Sequence, residues 1–323
     1  MRSIVCTQFE GDYHYGAAAL INSLYKAGFR GELYAGYKGE LPYWASKSKE
    51  STILDDTNHT LQVAEGLQVN FIKIKSSSHL TNYKPDFMKL ILDGPGRNAE
   101  GIYYFDSDIV VRAPWSYFET WVEYGIAVCE DLNSPIPKDH PLRRGWRDFF
   151  KNAGINLNFK DATYVNGGFV GLRREDFDFI DVWIKIQNAM STVIGGLENS
   201  QFNKMSTVSP YLKRPYGIFS KTDQDALNAS IETWEKCVSF IGLEGMGFKS
   251  GVSLMSHALG PIKPWSAKPI RRALSGHSPR QVDRDYLMVS QFPIRLYSRT
   301  TVVIRYYKIL LATFISRFYS KPR

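Results

Sequence analysis

Along most of the chain, short β-prone runs alternate with segments of helical periodicity. Ser3–Thr7 (SIVCT), Glu32–Tyr37 and Leu67–Ile74 are rich in β-branched and aromatic residues and read as buried strands. Between the first two, Tyr15–Lys26 (YGAAALINSLYK) carries Ala and Leu at helical spacing, with Gly28 as its stop. Pro85–Leu92 predicts a short helix that ends at the turn Asp93-Gly94-Pro95-Gly96. Ile102–Val111 (IYYFDSDIVV) is strongly β-prone but broken at its centre by three polar residues. A helix is expected over Pro114–Tyr124, with Pro near its first turn, and a strand over Ile126–Glu130. Residues 132–162 are mixed and polar and read as loop-rich. Tyr164–Leu172 (YVNGGFVGL) returns to strand character, and Phe177–Met190 is an amphipathic helix. A stretch rich in Ser, Asn and Gly, 191–221, precedes a helix over Asp223–Trp234, after which strands alternate with glycines up to Trp265.

Strands alternating with helices imply an α/β fold with a mainly parallel sheet covered on both faces. In such sheets ligands gather at the carboxyl ends of strands, near a topological switch. Polar interruptions of apolar strands are therefore the places to search for chemistry. The length, 323 residues, suits one large α/β domain or two ordinary ones.

Charge changes the picture at one end. The formal net charge is +8, which raises nucleic acid and anionic membrane as partners. Residues 295–323 hold Arg295, Arg299, Arg305, Lys308, Arg317, Lys321 and Arg323 and no acid. Subtracting those seven from 40 bases leaves 33 against 32 acids for residues 1–294. The body is near neutral, so a nucleic-acid partner is not expected, and the basic character belongs to the tail. Within it, Val303, Tyr307, Leu310, Leu311, Phe314 and Phe318 line one helical face, with Arg305, Lys308 and Ser316 on the other and Arg317 towards the edge. Two readings stay open: a helix lying in an anionic membrane interface, or a last core-packing helix with a solvated basic edge.

Three widely spaced cysteines (Cys6, Cys129, Cys237) do not form a disulfide framework and fit a reducing compartment. No C-x-x-C or H-E-x-x-H occurs, so zinc is not expected. The N-terminus lacks the pattern of a secretory signal and no uninterrupted apolar run reaches about 18 residues. A cytoplasmic location is expected, peripheral at the membrane if the tail binds lipid.

The sharpest interruption is Asp106-Ser107-Asp108. Two carboxylates flanked by YYF and IVV cannot both be buried without compensation. Leaving the strand on one side, they form a pair that a hard divalent cation would neutralise. The bare D-x-D spacing also occurs at Asp176/Asp178, Asp223/Asp225 and Asp283/Asp285, but only the first ends a strongly apolar strand. The alternative is a solvated strand end. A second feature is His257-Ala-Leu-Gly260-Pro-Ile-Lys263-Pro-Trp265, in which Gly260 permits close approach and two prolines fix the loop presenting Lys263. Carboxylates plus imidazole would suit Mn²⁺ better than Mg²⁺, and Lys263 would suit a phosphate. Thr222-Asp223-Gln224-Asp225 begins a helix, where Thr222 or Asp223 serving as N-cap is a sufficient structural explanation. Asn166-Gly167-Gly168 reads as a bulge or a close approach to ligand. Gly242–Ser250 (GLEGMGFKS) misses a phosphate loop by one residue and is followed by another extended segment.

Taken in order, these pieces resemble the family-8 glycosyltransferases, the group containing glycogenin and bacterial lipopolysaccharide galactosyltransferases, over residues 3 to 265. The resemblance implies a GT-A fold: a single Rossmann-like domain over 1–265, plus a basic helical extension over 266–323. It implies Asp106, Asp108 and His257 as metal ligands, with Ser107 between the carboxylates, and Gly260 and Lys263 on the diphosphate of a UDP-sugar donor. DQDALN is similar to the family's DQD-x-x-N segment, which implies Asp223 and Gln224 beside the transferred sugar, with Asn166 and Gly168 bordering it. Tyr13-His14-Tyr15-Gly16 resembles the nucleotide-base segment, which implies Tyr13 on the uracil ring. Two positions depart from the family. An acidic motif after the first strand is replaced by Thr7-Gln8-Phe9, and the usual Arg 17 residues before the D-x-D is Lys89, which keeps the charge but loses the planar fork. The implied activity is metal-dependent hexosyl transfer with retention of configuration, to a glycan or lipid-linked oligosaccharide. The competing class is a non-catalytic sugar-nucleotide or anionic-polymer binder.

Overall fold

A computed structural model describes residues 1–202 and 216–319. The chain opens with β1 (Ser3–Glu10), α1 (His14–Lys26) and β2 (Gly31–Lys38), followed by β3 (Lys49–Ile53), β4 (Asp56–Ala64) and β5 (Leu67–Lys73). Next come α2 (Lys84–Asp93), β6 (Gly101–Phe105), β7 (Ile109–Val111), α3 (Trp115–Trp121), β8 (Ile126–Cys129) and α4 (Pro141–Asn152). They are followed by β9 (Phe169–Arg173), α5 (Phe179–Ile194), α6 (Thr222–Thr233), β10 (Val238–Ile241) and β11 (Met255–His257), and the chain closes with α7 (Pro269–Leu274), α8 (Gln281–Met288) and α9 (Arg299–Tyr319).

Among the described residues, nine strands form one sheet in the order β10-β8-β9-β6-β1-β2-β5-β4-β3, in which β4 and β9 run against the rest. The strand β1 pairs in parallel with β2 on one side and β6 on the other. The chain therefore winds outward in one direction and then restarts in the other, which places a topological switch between β1 and β6. That is where a doubly wound sheet opens a crevice at its carboxyl edge.

The two faces are filled by alternation along the strands. Val5, Phe9, Tyr103 and Phe105 point to the side of α1, where they join Leu20 and Leu24. Ile4, Cys6, Ile102 and Tyr104 point to the other side, where α2 contributes Phe87 and Ile91 and α5 contributes Trp183. Tyr286, Val289, Ile294 and Leu296, from the C-terminal segment, belong to the first of these cores. They are tied to it by Asn22, which is buried in α1, donates to the carbonyls of Val289 and Ile294, and accepts from the Ile294 amide.

Several sequence expectations are refined. The Ile102–Val111 run is two strands in two sheets, since β7 leaves the main sheet to pair with β11. Tyr164–Leu172 is strand only from Phe169 onward, because Asn166-Gly167-Gly168 turns away to the crevice. Residues 132–162 are not all loop. They contain α4, whose apolar face (Trp146, Phe150) is diluted in sequence by four basic residues yet is buried, and whose Arg143 forms a buried pair with Glu232. The β3–β4 hairpin gave no signal, because Leu54 and Asp55 take positive φ (58° and 56°) without the glycine that marks such turns. Part of the Ser/Asn/Gly-rich stretch, 203–215, lies outside the described residues.

Candidate functional site

The site is assembled at the crevice beside the switch. Asp106, Ser107 and Asp108 form the turn between β6 and β7, closed by the Ile109 amide donating to the Asp106 carbonyl (3.1 Å). That turn is braced from below by α1. A Cβ on Gly16 would stand 2.3 Å from the Ser107 carbonyl, so the helix can approach only without a side chain there. Ser107 and Asp108 are buried.

The antiparallel β7–β11 pair sets His257 opposite Ile109 and brings its imidazole over the turn. His257 Nε2 lies 3.2 Å from Oδ1 of Asp108 and 3.9 Å from Oδ2 of Asp106. One ligand atom from each of the three residues lies within 4.8 Å of the others. Two carboxylates and an imidazole nitrogen drawn together at this turn form a group able to hold a metal ion. His257 Nδ1 is buried without a partner, which leaves Nε2 as the nitrogen aimed at the carboxylates.

The charges are balanced by two lysines. Lys263 donates to Oδ2 of Asp108 (2.6 Å) and to the Ala258 carbonyl (2.7 Å). An ammonium has three donors, so one remains for another acceptor. Lys84 is 1% exposed and bridges Oδ1 of Asp106 and Oδ2 of Asp223, each at 2.9 Å, while also donating to the Gly167 carbonyl (2.8 Å). Burial pushes the Asp106 carboxyl up, Lys84 pulls it back, and the Asp108 charge raises it again. Burial would also raise Asp108, but His257 and Lys263 beside it hold its carboxyl well below the usual range. Burial works against the charge on both lysines, and the facing aspartates outweigh it, leaving each raised.

On the opposite wall, the antiparallel direction of β9 returns the chain to the same edge. Asn166 accepts from the Gly168 amide (2.9 Å) and donates to Asp131 (2.6 Å). Gly168 lies against the imidazole, and a Cβ there would stand 2.6 Å from His257 Cε1. Asp223, Gln224 and Asp225, in the first turn of α6, are all buried. Gln224 Oε1 accepts from the Gly167 amide (3.2 Å), while its Nε2 and Asp223 Oδ1 are buried without partners. The N-cap explanation of this segment is corrected: Lys221 holds the cap position, and neither Thr222 nor Asp223 caps through its side chain. Asp225 instead accepts from the Tyr164 hydroxyl (2.6 Å) and the Lys221 amide (3.0 Å), and burial raises its carboxyl to about 7.

The remaining sequence candidates divide. Tyr13 stands in a single turn ahead of α1, half exposed, edge-on to Trp265 and facing Lys263. Thr7 lies on the carboxyl half of β1, fully buried, with its hydroxyl unpartnered. Gly260 has φ +81° and open space around its Cα, so conformation accounts for it here. Lys89 is corrected: it sits on the outer side of α2, pairing with Asp181 and Asp93. Lys84, which sequence reasoning passed over, occupies the site instead. Its signal was positional, since it is the first residue of a helix whose second is proline and which follows a strand, and such helices begin at the ligand-binding edge.

No family model and no curated protein matches the chain by sequence. Solved structures do match its fold. The apo structure of the bifunctional glycosyltransferase WbbM aligns over 94% of this chain and 51% of its own, at 12% identity and TM-score 0.50. The apo form of the glycosyltransferase GlyE from Streptococcus pneumoniae TIGR4 aligns over 95% of this chain and 63% of its own, at 13% identity and TM-score 0.51. The fold is that of the GT-A glycosyltransferases. The chain spans about half the length of the first GT-A neighbour and about three-fifths of the second.

Proposed function

We propose that the protein is a metal-dependent, retaining glycosyltransferase that moves a hexose from a UDP-sugar to a hydroxyl of a glycan or glycolipid in cell-surface polysaccharide or lipopolysaccharide synthesis. One observation carries this reading: a cation-binding set (Asp106, Asp108, His257), two buried lysines and the unpartnered polar atoms of Thr7, Asp223 and Gln224 converge at one edge of the sheet. Buried polar atoms left without partners cost stability unless a ligand satisfies them.

Held by Asp106, Asp108 and His257, Mn²⁺ (or Mg²⁺) would supply charge neutralisation for a departing diphosphate. Lys263 adds to that neutralisation through its remaining donor, with Gly260 and Ser107 bordering the phosphates and Tyr13 and Thr7 the nucleoside. Asp223, fixed by Lys84, accepts hydrogen bonds from sugar hydroxyls through its free Oδ1. Asn166 and Gly168 border the same sugar. The bond from sugar C1 to the β-phosphate oxygen breaks, the acceptor oxygen bonds to C1, and the acceptor proton leaves on the diphosphate. Retention then requires attack on the face from which the diphosphate departs. Gln224 supports the opposite face as an amide whose oxygen is already engaged by Gly167, a poor nucleophile that argues against a covalent intermediate. In this reading the segments 132–162 and 191–221 supply the acceptor walls, although 203–215 lie outside the described residues, and the C-terminal helix holds the enzyme against anionic lipid at the cytoplasmic face. Among the described residues no helix is long and apolar enough to cross a membrane.

The test is UDP release from a panel of UDP-sugars with Mn²⁺ and then with chelator. At least one sugar should turn over only with the metal, and intact mass during turnover should show no hexosyl adduct. UDP binding without turnover of any sugar would instead identify a binding module.

A further inference from the structure

The C-terminal helix is turned inside out relative to an ordinary packing helix. Its inward face is mostly small and polar: Ala312 and Ser316 are buried beside one large apolar residue, Ile309, Ser316 accepts from Ser278 (2.9 Å) and Thr313 from Arg284 (2.9 Å). The apolar strip faces out, with Val303, Tyr307, Leu310, Leu311, Phe314 and Phe318 between 45% and 71% exposed. Water is a poor environment for so continuous a strip.

Beside that strip lies a cavity of about 290 Å³ between α7, α8 and α9. Lys268, Arg271, Arg272, Arg305 and Lys308 line it, against the single carboxylate of Asp283. Asp283 is already engaged by Arg280 at 2.8 Å, and Arg272 reaches it only at 3.9 Å. Among the described residues, Lys268, Arg271, Arg305 and Lys308 have no acid within ion-pair distance. Cations gathered in a cleft without counter-charge repel one another unless an anion joins them, and guanidinium groups match phosphate in geometry. Lys308 stands one turn from both Ile304 and Leu311, so the cavity opens at the border of the apolar strip.

We propose that this cavity is a phosphate site for the headgroup of an anionic phospholipid, seated when the apolar strip of α9 lies in the membrane interface. Its floor and its mouth account for the two halves of one lipid: the phosphate goes to Arg271, Arg272 and Arg305, and the acyl region meets Leu311, Phe314 and their neighbours. The proposal rests on the membrane reading given above and is separable from it.

Co-sedimentation of the full chain with vesicles of phosphatidylcholine alone, or with phosphatidylglycerol added, tests it. Wild type should bind the anionic vesicles at least tenfold more tightly. Arg271→Gln/Arg272→Gln should lose about tenfold or more on the anionic vesicles while UDP release stays unchanged. Arg299→Gln/Arg317→Gln removes equal charge outside the cavity and should cost less than threefold. Equal losses in the two double variants would leave only diffuse attraction and overturn the site. Leu311→Ser/Phe314→Ser should weaken binding to both vesicle types; if it does and the cavity variant binds like wild type, the membrane reading stands and the headgroup site falls. Wild type that binds neither vesicle, yet gains thermal stability from millimolar inorganic phosphate through Arg271 and Arg272, would assign the cavity to free phosphate and overturn the lipid source.

Discussion

Lys84 Nζ lies 2.9 Å from Oδ2 of Asp223, and the same ammonium holds Oδ1 of Asp106 at 2.9 Å. One buried cation thus joins the proposed sugar-binding wall to the proposed metal turn, fixing their separation. Asp223 lies 139 positions beyond Lys84 in sequence, so the bridge closes a long-range contact.

Replacing Lys84 by Met would leave the buried carboxylate of Asp223 uncompensated and remove the ammonium from the half-buried carboxylate of Asp106. Breaking such a pair costs about 3 kcal/mol or more, so the variant should melt lower and lose at least a hundredfold in kcat/KM for UDP release. Lys89→Met, at the surface between Asp93 and Asp181, should stay within twofold of wild type. Similar losses in the two variants would contradict the assignment of the site to Lys84.

Asp108→Asn removes the carboxylate closest to His257 and Lys263. Manganese titration followed by electron paramagnetic resonance should show affinity falling at least tenfold, and the metal-free variant should melt lower because buried Lys263 loses its carboxylate partner. Undiminished metal binding would remove Asp108 from the ligand set.

Two glycines near the site serve different needs. At Gly168 an added Cβ would press on the imidazole, 2.6 Å from Cε1, so Gly168→Ala should weaken Mn²⁺ binding several-fold. At Gly260 there is space but φ is +81°, so Gly260→Ala should cost about 1 kcal/mol of stability and leave metal affinity alone. Calorimetry of both variants distinguishes them, and the reverse pattern would refute the geometry.

Asp225 gives a pH signature. Its folded-state carboxyl is raised by burial from an ordinary 3.8 to about 7, so the native state binds its proton more tightly than the unfolded chain. That contribution is fully present below the unfolded value and is lost as pH rises through about 7. Relative to Asp225→Asn, wild-type stability should therefore fall between pH 4 and 7, by roughly 1.4 kcal/mol per unit at most, and level off above. Urea unfolding of both proteins across that range checks it; a constant difference would show that Asp225 titrates normally.

Much of this was legible in the residues. The polar break in IYYFDSDIVV and the glycine and prolines around Lys263 marked the places where buried strands must open to a ligand, and the structure brings them together. The cap explanation of DQD failed for a physical reason. A first-turn acid that finds a buried lysine across the sheet gains more from that pairing than from capping its own helix. Lys84 and Asp131 were invisible because single charged residues carry no local pattern; only their partners give them meaning. The tail showed its amphipathic face in sequence, but not which face would be buried.

The sequence by itself determined the alternation of strands and helices, the apolar strands that end in chemistry, and the basic end of the chain, because these depend on local period and desolvation. Tertiary structure decided which lysine neutralises which aspartate, and that Asn166-Gly167-Gly168 reaches the same crevice through an antiparallel strand. It also decided that α9 buries its small residues and exposes its aromatic ones. Those outcomes turn on strand order and on which distant charges and surfaces meet, and no window along one chain contains that information.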